Sequence, residues 1–128
     1  MKDVKEMIKG KGAVGIAIAY FSLHGIVSIP TDHTEYNLIY DNGKKLSKIK
    51  VISCSFKTKF GVYSATIRTS GGNQPTTQVK KFDPRSCDMV FVVTADMEMY
   101  NIPSSDITST RQISMKVYEP YRVTFIPS

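Results

Sequence analysis

The sequence predicts an α/β domain in which one long N-terminal helix packs on a mixed β-sheet that includes an antiparallel meander. Three observations carry this. Apolar residues between Val4 and Leu23 form a helix-length block, the chain beyond it breaks into strand-length segments divided by turn residues, and Met89 to Thr94 is continuously apolar between polar neighbours. An uninterrupted apolar run of that length is the pattern of a strand covered on both faces, and a helix plus such a strand needs a layered α/β arrangement. The 128 residues are expected to form one domain, 1–128, since hydrophobic residues (41%) are spread along the whole chain and this length suits a single core.

The first half of the helix block is amphipathic and the second half, from Val14 to Phe21, is densely apolar. Gly10, Gly12 and Gly15 each cost a helix interior about 1 kcal/mol relative to Ala, so the helix is expected to begin late, near Lys11 to Ala13. His24-Gly25 ends it, with Gly25 in the left-handed position after the last turn. Ile26 to Ile29 then reads as a strand closed by Pro30, Tyr36 to Tyr40 as a second and Leu46 to Phe56 as a long third. Asp41-Asn42-Gly43-Lys44 between the last two is a tight-turn signal, which makes them an antiparallel pair. Lys57-Thr58-Lys59 is the next turn and Gly61 to Arg68 a fourth strand. Ser70-Gly71-Gly72-Asn73-Gln74-Pro75 is too polar to be core and reads as a loop. Met89 to Thr94 is the central strand, Met97 to Ile102 its hairpin partner ended by Pro103, and the tail from Thr108 to Val123 a loop with a short packing element.

Composition narrows the function. No apolar run approaches the roughly 18 to 20 residues that span a bilayer, and Met1-Lys2-Asp3-Val4-Lys5-Glu6 lacks the basic-then-apolar order of a signal peptide; a cytoplasmic protein without membrane contact is expected. Cys54 and Cys87 are far apart, with no CxxC and no histidine pair nearby, so both are expected to be buried thiols rather than zinc ligands or a disulfide. Seventeen Lys and Arg against eleven Asp and Glu give a net charge of +6 and a pI near 9.3, which suits a polyanionic partner such as nucleic acid.

Several segments, in this order, resemble the PD-(D/E)XK endonucleases carried by group I introns. They are Lys11-Gly12-Ala13-Val14-Gly15, Ile29-Pro30, Asp32-His33-Thr34-Glu35-Tyr36-Asn37-Leu38-Ile39 and Lys48-Ile49-Lys50-Val51-Ile52, followed by Arg68 to Asn73, Phe82-Asp83-Pro84, Asp88, Ile102-Pro103-Ser104 and Tyr118 to Val123. The resemblance implies a restriction-endonuclease-like core. It also implies a site in which an aspartate from a Tyr-Asp-Leu-Ile pattern meets a Gln-x-Lys or Glu-x-Lys pair on the next strand, where alternate residues share a face. Carboxylates there hold Mg²⁺, and metal and lysine together activate water and stabilise the developing charge.

Read onto this chain, the aspartate position is Asn37, the Gln or Glu position Lys50 and the lysine position Ile52, while an acid often found at the Gly-x-x-Gly helix start is Ala13. An amide in place of a carboxylate holds Mg²⁺ poorly, and isoleucine neither donates a hydrogen bond nor carries charge. The chain therefore reads as a catalytically degenerate relative with no intact catalytic set, no metal ligands and no cofactor.

What remains is a nucleic-acid-binding surface, with DNA favoured over RNA. Its candidates are Lys9 and Lys11 at the helix start, Lys57 and Lys59 at the hairpin turn, Arg68, Ser70, Asn73 and Gln74 in and beside the Gly-rich loop, and Lys80 and Lys81 after it. Gly-rich backbone can approach phosphates, and Asn or Gln can read base edges. His24 and His33 lack a positioned partner and carry no acid-base chemistry.

Three function classes stay open. One is this degenerate binder, phage- or intron-encoded and, by resemblance, a homodimer or larger homo-oligomer. Another is an active Mg²⁺-dependent endonuclease whose carboxylate has moved to Asp32, Glu35 or Asp41. The last is a protein-binding decoy or inhibitor on a dead nuclease fold, recognisable by an exposed apolar patch.

Overall fold

The computed structural model describes residues 8, 11–33, 35–41, 43–67 and 81–126. Helix α1 spans Lys11–Leu23, starting at the expected place, and carries Gly12 and Gly15 within its first turns. Its buried residues, Ala13, Val14, Ala17, Tyr20 and Phe21, recur at the three-to-four spacing of one helical face. The exit follows the glycine-cap pattern: Gly25 has φ +81°, and the Ile26 N–H returns to the Phe21 carbonyl at 2.8 Å.

Six strands form the main sheet in the order β1 (Ser28–Pro30), β2 (Leu38–Asp41), β3 (Leu46–Cys54), β5 (Met89–Thr94), β6 (Met99–Pro103) and β8 (Arg122–Val123). β1, β2 and β3 are the expected antiparallel meander, β5 joins β3 in parallel, and β6 returns antiparallel to β5. The sheet is mixed, with one helix packed on it, and β5 is central: Val90 to Thr94 are all buried.

Several boundaries differ from expectation for physical reasons. Pro30 lies inside β1 because β1 is an edge strand, where a missing N–H costs no ladder bond. β2 begins at Leu38 rather than Tyr36, and β3 ends at Cys54 rather than Phe56. Asp41 pairs with Leu46, so the connection has four residues, 42–45; Gly43 has φ +90° and Asn42 lies outside the described residues. Met97 belongs to the β5–β6 turn, with φ +62°.

The fourth predicted strand is shorter, β4 (Ser64–Thr66), and leaves the main sheet to pair with β7 (Gln112–Ser114). The tail is thus more regular than expected, with β7, a 3-10 turn at Glu119–Tyr121 and β8. This small second sheet covers the main-sheet face opposite α1. The interior is consequently split in two. Leu38, Ile49, Val51, Phe91 and Val93 pack under α1, while Cys54, Val90, Val92 and Ile102 pack under Ala65, Ile67 and Ile113.

Candidate functional site

β2 and β3 diverge just past the Leu38–Ile49 pair, and Asn37 sits at the split. Its N–H still reaches the Ile49 carbonyl at 3.0 Å, but Val51 has no backbone partner on β2. The Asn37 side chain takes that place. Its Oδ1 accepts the Val51 N–H at 2.7 Å and its Nδ2 donates to the Val51 carbonyl at 3.1 Å. The side-chain amide stands in for a peptide unit and extends the ladder by one step. Each part-buried bond contributes about 0.5–1.5 kcal/mol, and leaving its partner unpaired costs more.

Residues on β3 alternate between the two interiors. Ile49 and Val51 face α1; Lys50 and Ile52 face the other way, Ile52 against the second core. Lys50 is 8% exposed, so it is closed off from bulk solvent. Burial pushes its ammonium below the usual lysine range, partly countered by Cys87 and the Glu35 carboxylate. The Cys87 Sγ lies 3.3 Å from the Ser104 Oγ, and burial raises this thiol, as it does that of Cys54. Both cysteines are free and buried, as expected.

Ala13 is 2% exposed and packs in the core beneath α1, on the far side of the sheet from Ile52. The structure brings Asn37 beside the β3 positions and keeps Ala13 apart from them.

A cleft of about 650 Å³ opens between the start of α1 and the β1–β2 edge, lined by Lys11, Val14, Gly15, Asp32 and Asn37 among others. Asp32 thus shares a cleft with Asn37. Asp41 lies at the opposite end of β2, with its Oδ1 holding the Gly43 N–H at 2.8 Å, and is not available to that cleft. The Glu35 N–H donates to His33 Nδ1 at 3.1 Å. His33 stacks on Tyr36 with ring centroids 4.1 Å apart, and the Lys48 ammonium sits 5.3 Å from the Tyr36 ring centre. His24 donates from Nε2 to the Thr124 carbonyl at 3.1 Å and lies against the Tyr20 ring, a packing role.

Among the described residues no group of three or more His, Cys, Asp or Glu side chains is placed to hold a metal ion. With both Asn37 amide atoms engaged by Val51, Asn37 does not fit the metal-ligand role that the family resemblance implies for its position.

Lys57 and Lys59 lie on a short hairpin beyond β3. Lys57 bridges to Tyr63, and Gly61 turns the chain at φ +77° while its N–H binds the Thr58 carbonyl at 2.9 Å. The Lys57 ammonium pairs with Asp96 at 3.1 Å and lies 4.8 Å from the Tyr63 ring centre. Burial, then the hydrogen bond to Asp96, pushes the Tyr63 hydroxyl up to about 12, so it stays a donor. Lys11, Lys57, Lys59 and Lys81 are all exposed. Lys9, Arg68, Ser70, Asn73, Gln74 and Lys80 lie outside the described residues.

Sequence reasoning missed the structural task of Asn37, because it depends on where two strands part company. It also missed the burial of Lys50, although the apolar alternation of Ile49, Val51 and Ile52 around it was a signal. Asp88 was noted only as part of a resemblance. Its Oδ2 accepts the Lys48 N–H at 2.8 Å, its Oδ1 meets the Lys45 ammonium at 3.1 Å, and its carbonyl accepts the Ser104 N–H at 3.0 Å, which ties β3, β5 and the end of β6 together.

Comparison with known proteins agrees with this architecture. The family model described as PD-(D/E)XK endonuclease matches residues 6–123. Among solved structures, the chain is similar to a bacterial homing endonuclease, I-Ssp6803I, with a TM-score of 0.69 and 22% sequence identity over 84% of this chain and 75% of that one. No curated protein matches. Among the described residues no helix is long and apolar enough to cross a membrane.

Proposed function

Because the chain belongs to the PD-(D/E)XK endonuclease family, we propose that it is a degenerate member that retains nucleic-acid binding, to DNA more than RNA, without metal-dependent cleavage. The observation that carries this is the engagement of both Asn37 amide atoms by Val51. Metal-assisted phosphodiester hydrolysis needs carboxylate-held Mg²⁺ and a group that activates water. Here the aspartate position closes a strand ladder, the Gln or Glu position is a buried lysine, and the lysine position is Ile52. The net charge of +6 and the exposed Lys11, Lys57, Lys59 and Lys81 support a polyanionic partner. By the same family resemblance the protein acts as a homodimer or larger homo-oligomer.

A second reading rests on Asp32, which lines the same cleft as Asn37 and Lys11: a moved carboxylate would hold Mg²⁺ and leave an active endonuclease. A gel assay with labelled duplex DNA and structured RNA, with Mg²⁺ at two salt concentrations, separates these. The proposal expects retention that weakens steeply with salt and no product. Discrete Mg²⁺-dependent cleavage that disappears in Asp32→Asn would establish the second reading instead. No interaction at low salt would point to a protein partner, for which Val27, Ile29 and Leu46 form an exposed apolar surface.

A further inference from the structure

The hairpin beyond β3 exposes what a free protein ordinarily buries. Phe56 is 63% exposed and Phe60 80%, although phenylalanine is among the residues most often found in the interior. The hairpin itself is well anchored. Lys57 and Tyr63 both bind Asp96 at its base, and the Thr58–Gly61 turn closes its tip with the Phe60 N–H on the Thr58 Oγ1 at 3.3 Å. Phe60 is therefore presented outward from an anchored turn. Over one face of its ring, the Lys59 ammonium sits 5.2 Å from the Phe60 ring centre, and among the described residues no carboxylate pairs with Lys59.

A ring with one face under a lysine ammonium that no carboxylate neutralises leaves its other face for a base and the charge for that base's phosphate. We propose that the hairpin tip is a stacking platform for an unpaired nucleobase, with Phe60 as the ring and Lys59 as the phosphate contact. This rests on the nucleic-acid reading above and specifies how that partner is held. The position agrees: the hairpin continues from the C-terminal end of β3, the end of the sheet where β2 starts and Asn37 borders the cleft. Stacking is tolerant of sequence because every base has a π face, so the platform selects unpaired over paired bases.

The chain contains no tryptophan, so Phe60→Trp provides a single fluorescent reporter at an exposed turn. The full-length protein is titrated with oligo(dT), with heparin as a polyanion without bases, and with phosphatidylserine vesicles, alongside Phe60→Ala and Lys59→Ala. The expected result is quenching of the introduced indole's emission by oligo(dT) but not by heparin. Phe60→Ala should bind oligo(dT) about tenfold more weakly with unchanged heparin affinity and melting temperature, and Lys59→Ala should lose affinity for both. If the wild type binds DNA while the Phe60→Trp reporter stays unquenched and Phe60→Ala binds normally, the platform is refuted and the broader reading survives. A response to vesicles in place of oligo(dT) would assign the tip to a lipid surface and overturn the proposal. Absence of binding to oligo(dT), duplex DNA and heparin alike would remove the nucleic-acid reading and the platform with it.

Discussion

Restoring the family's aspartate should damage this protein. In Asn37→Asp the carboxylate still accepts the Val51 N–H now held at 2.7 Å, but the donor that reaches the Val51 carbonyl at 3.1 Å is gone. In its place a second anionic oxygen faces a carbonyl oxygen in a part-buried position. One lost hydrogen bond with an acceptor left unpaired costs about 1–3 kcal/mol. At roughly 3–6 °C per kcal/mol for a domain of this size, the melting temperature should fall by about 3–18 °C. Thermal unfolding followed by circular dichroism at neutral pH measures it. The deficit should shrink in acid, because the introduced carboxyl, once protonated, regains an O–H donor for the Val51 carbonyl. Added Mg²⁺ should not rescue the variant, since the carboxylate is spent on the Val51 N–H. A variant as stable as the wild type, or one stabilised by Mg²⁺, would refute the proposal that the position of the family's aspartate serves structure here.

Two further perturbations test the surroundings. Lys50→Met should stabilise the protein by about 1 kcal/mol near pH 7, because it removes a buried charge while keeping similar volume. The folded-state pKa of Lys50 lies below its unfolded value. Its penalty is therefore fully present below the folded pKa and relieved as pH rises toward 10.5, so the gap between variant and wild type in urea unfolding should narrow at alkaline pH. Asp88→Asn should cost about 1 kcal/mol, discounted for partial exposure. Burial raises this carboxyl, but the Lys48 N–H and the Lys45 ammonium outweigh it and its pKa ends below 3.8. The contribution is present above that value and lost as pH falls through the lower folded pKa, so acid titrations of the two proteins should converge.

The parts of the fold legible in the sequence were those set by local pattern. The helix followed from its apolar face and glycine-limited start, and β5 from an apolar run too short for anything but a covered strand. Alternation also marked β4 as a strand, but it carries no information about partners. β4 joins β7, far along the chain, at Ala65↔Ile113, and a strand whose mate is distant reads as one more turn of the meander. At the site, the resemblance marked Asn37, Lys50 and Ile52 as chemically unsuited to cleavage. What each does instead was invisible, since it depends on where β2 leaves β3 and on which interior a residue enters. Ala13 shows the same limit: grouped with the others by motif, it occupies the opposite core.

The division of the interior by the main sheet sets how this molecule tolerates change. Ile49, Val51 and Phe91 pack under α1, and Val90, Val92 and Ile102 pack under the small sheet, so a side chain altered on one side has few neighbours on the other. Distant, unshared sites add independently in free energy. Each layer answers to its own packing, so a change absorbed within one core need not be transmitted to the other. On such a partition, substitutions at Lys50 and Ile52 are felt in one core, while the helix-covered core that fixes the sheet is left as it was.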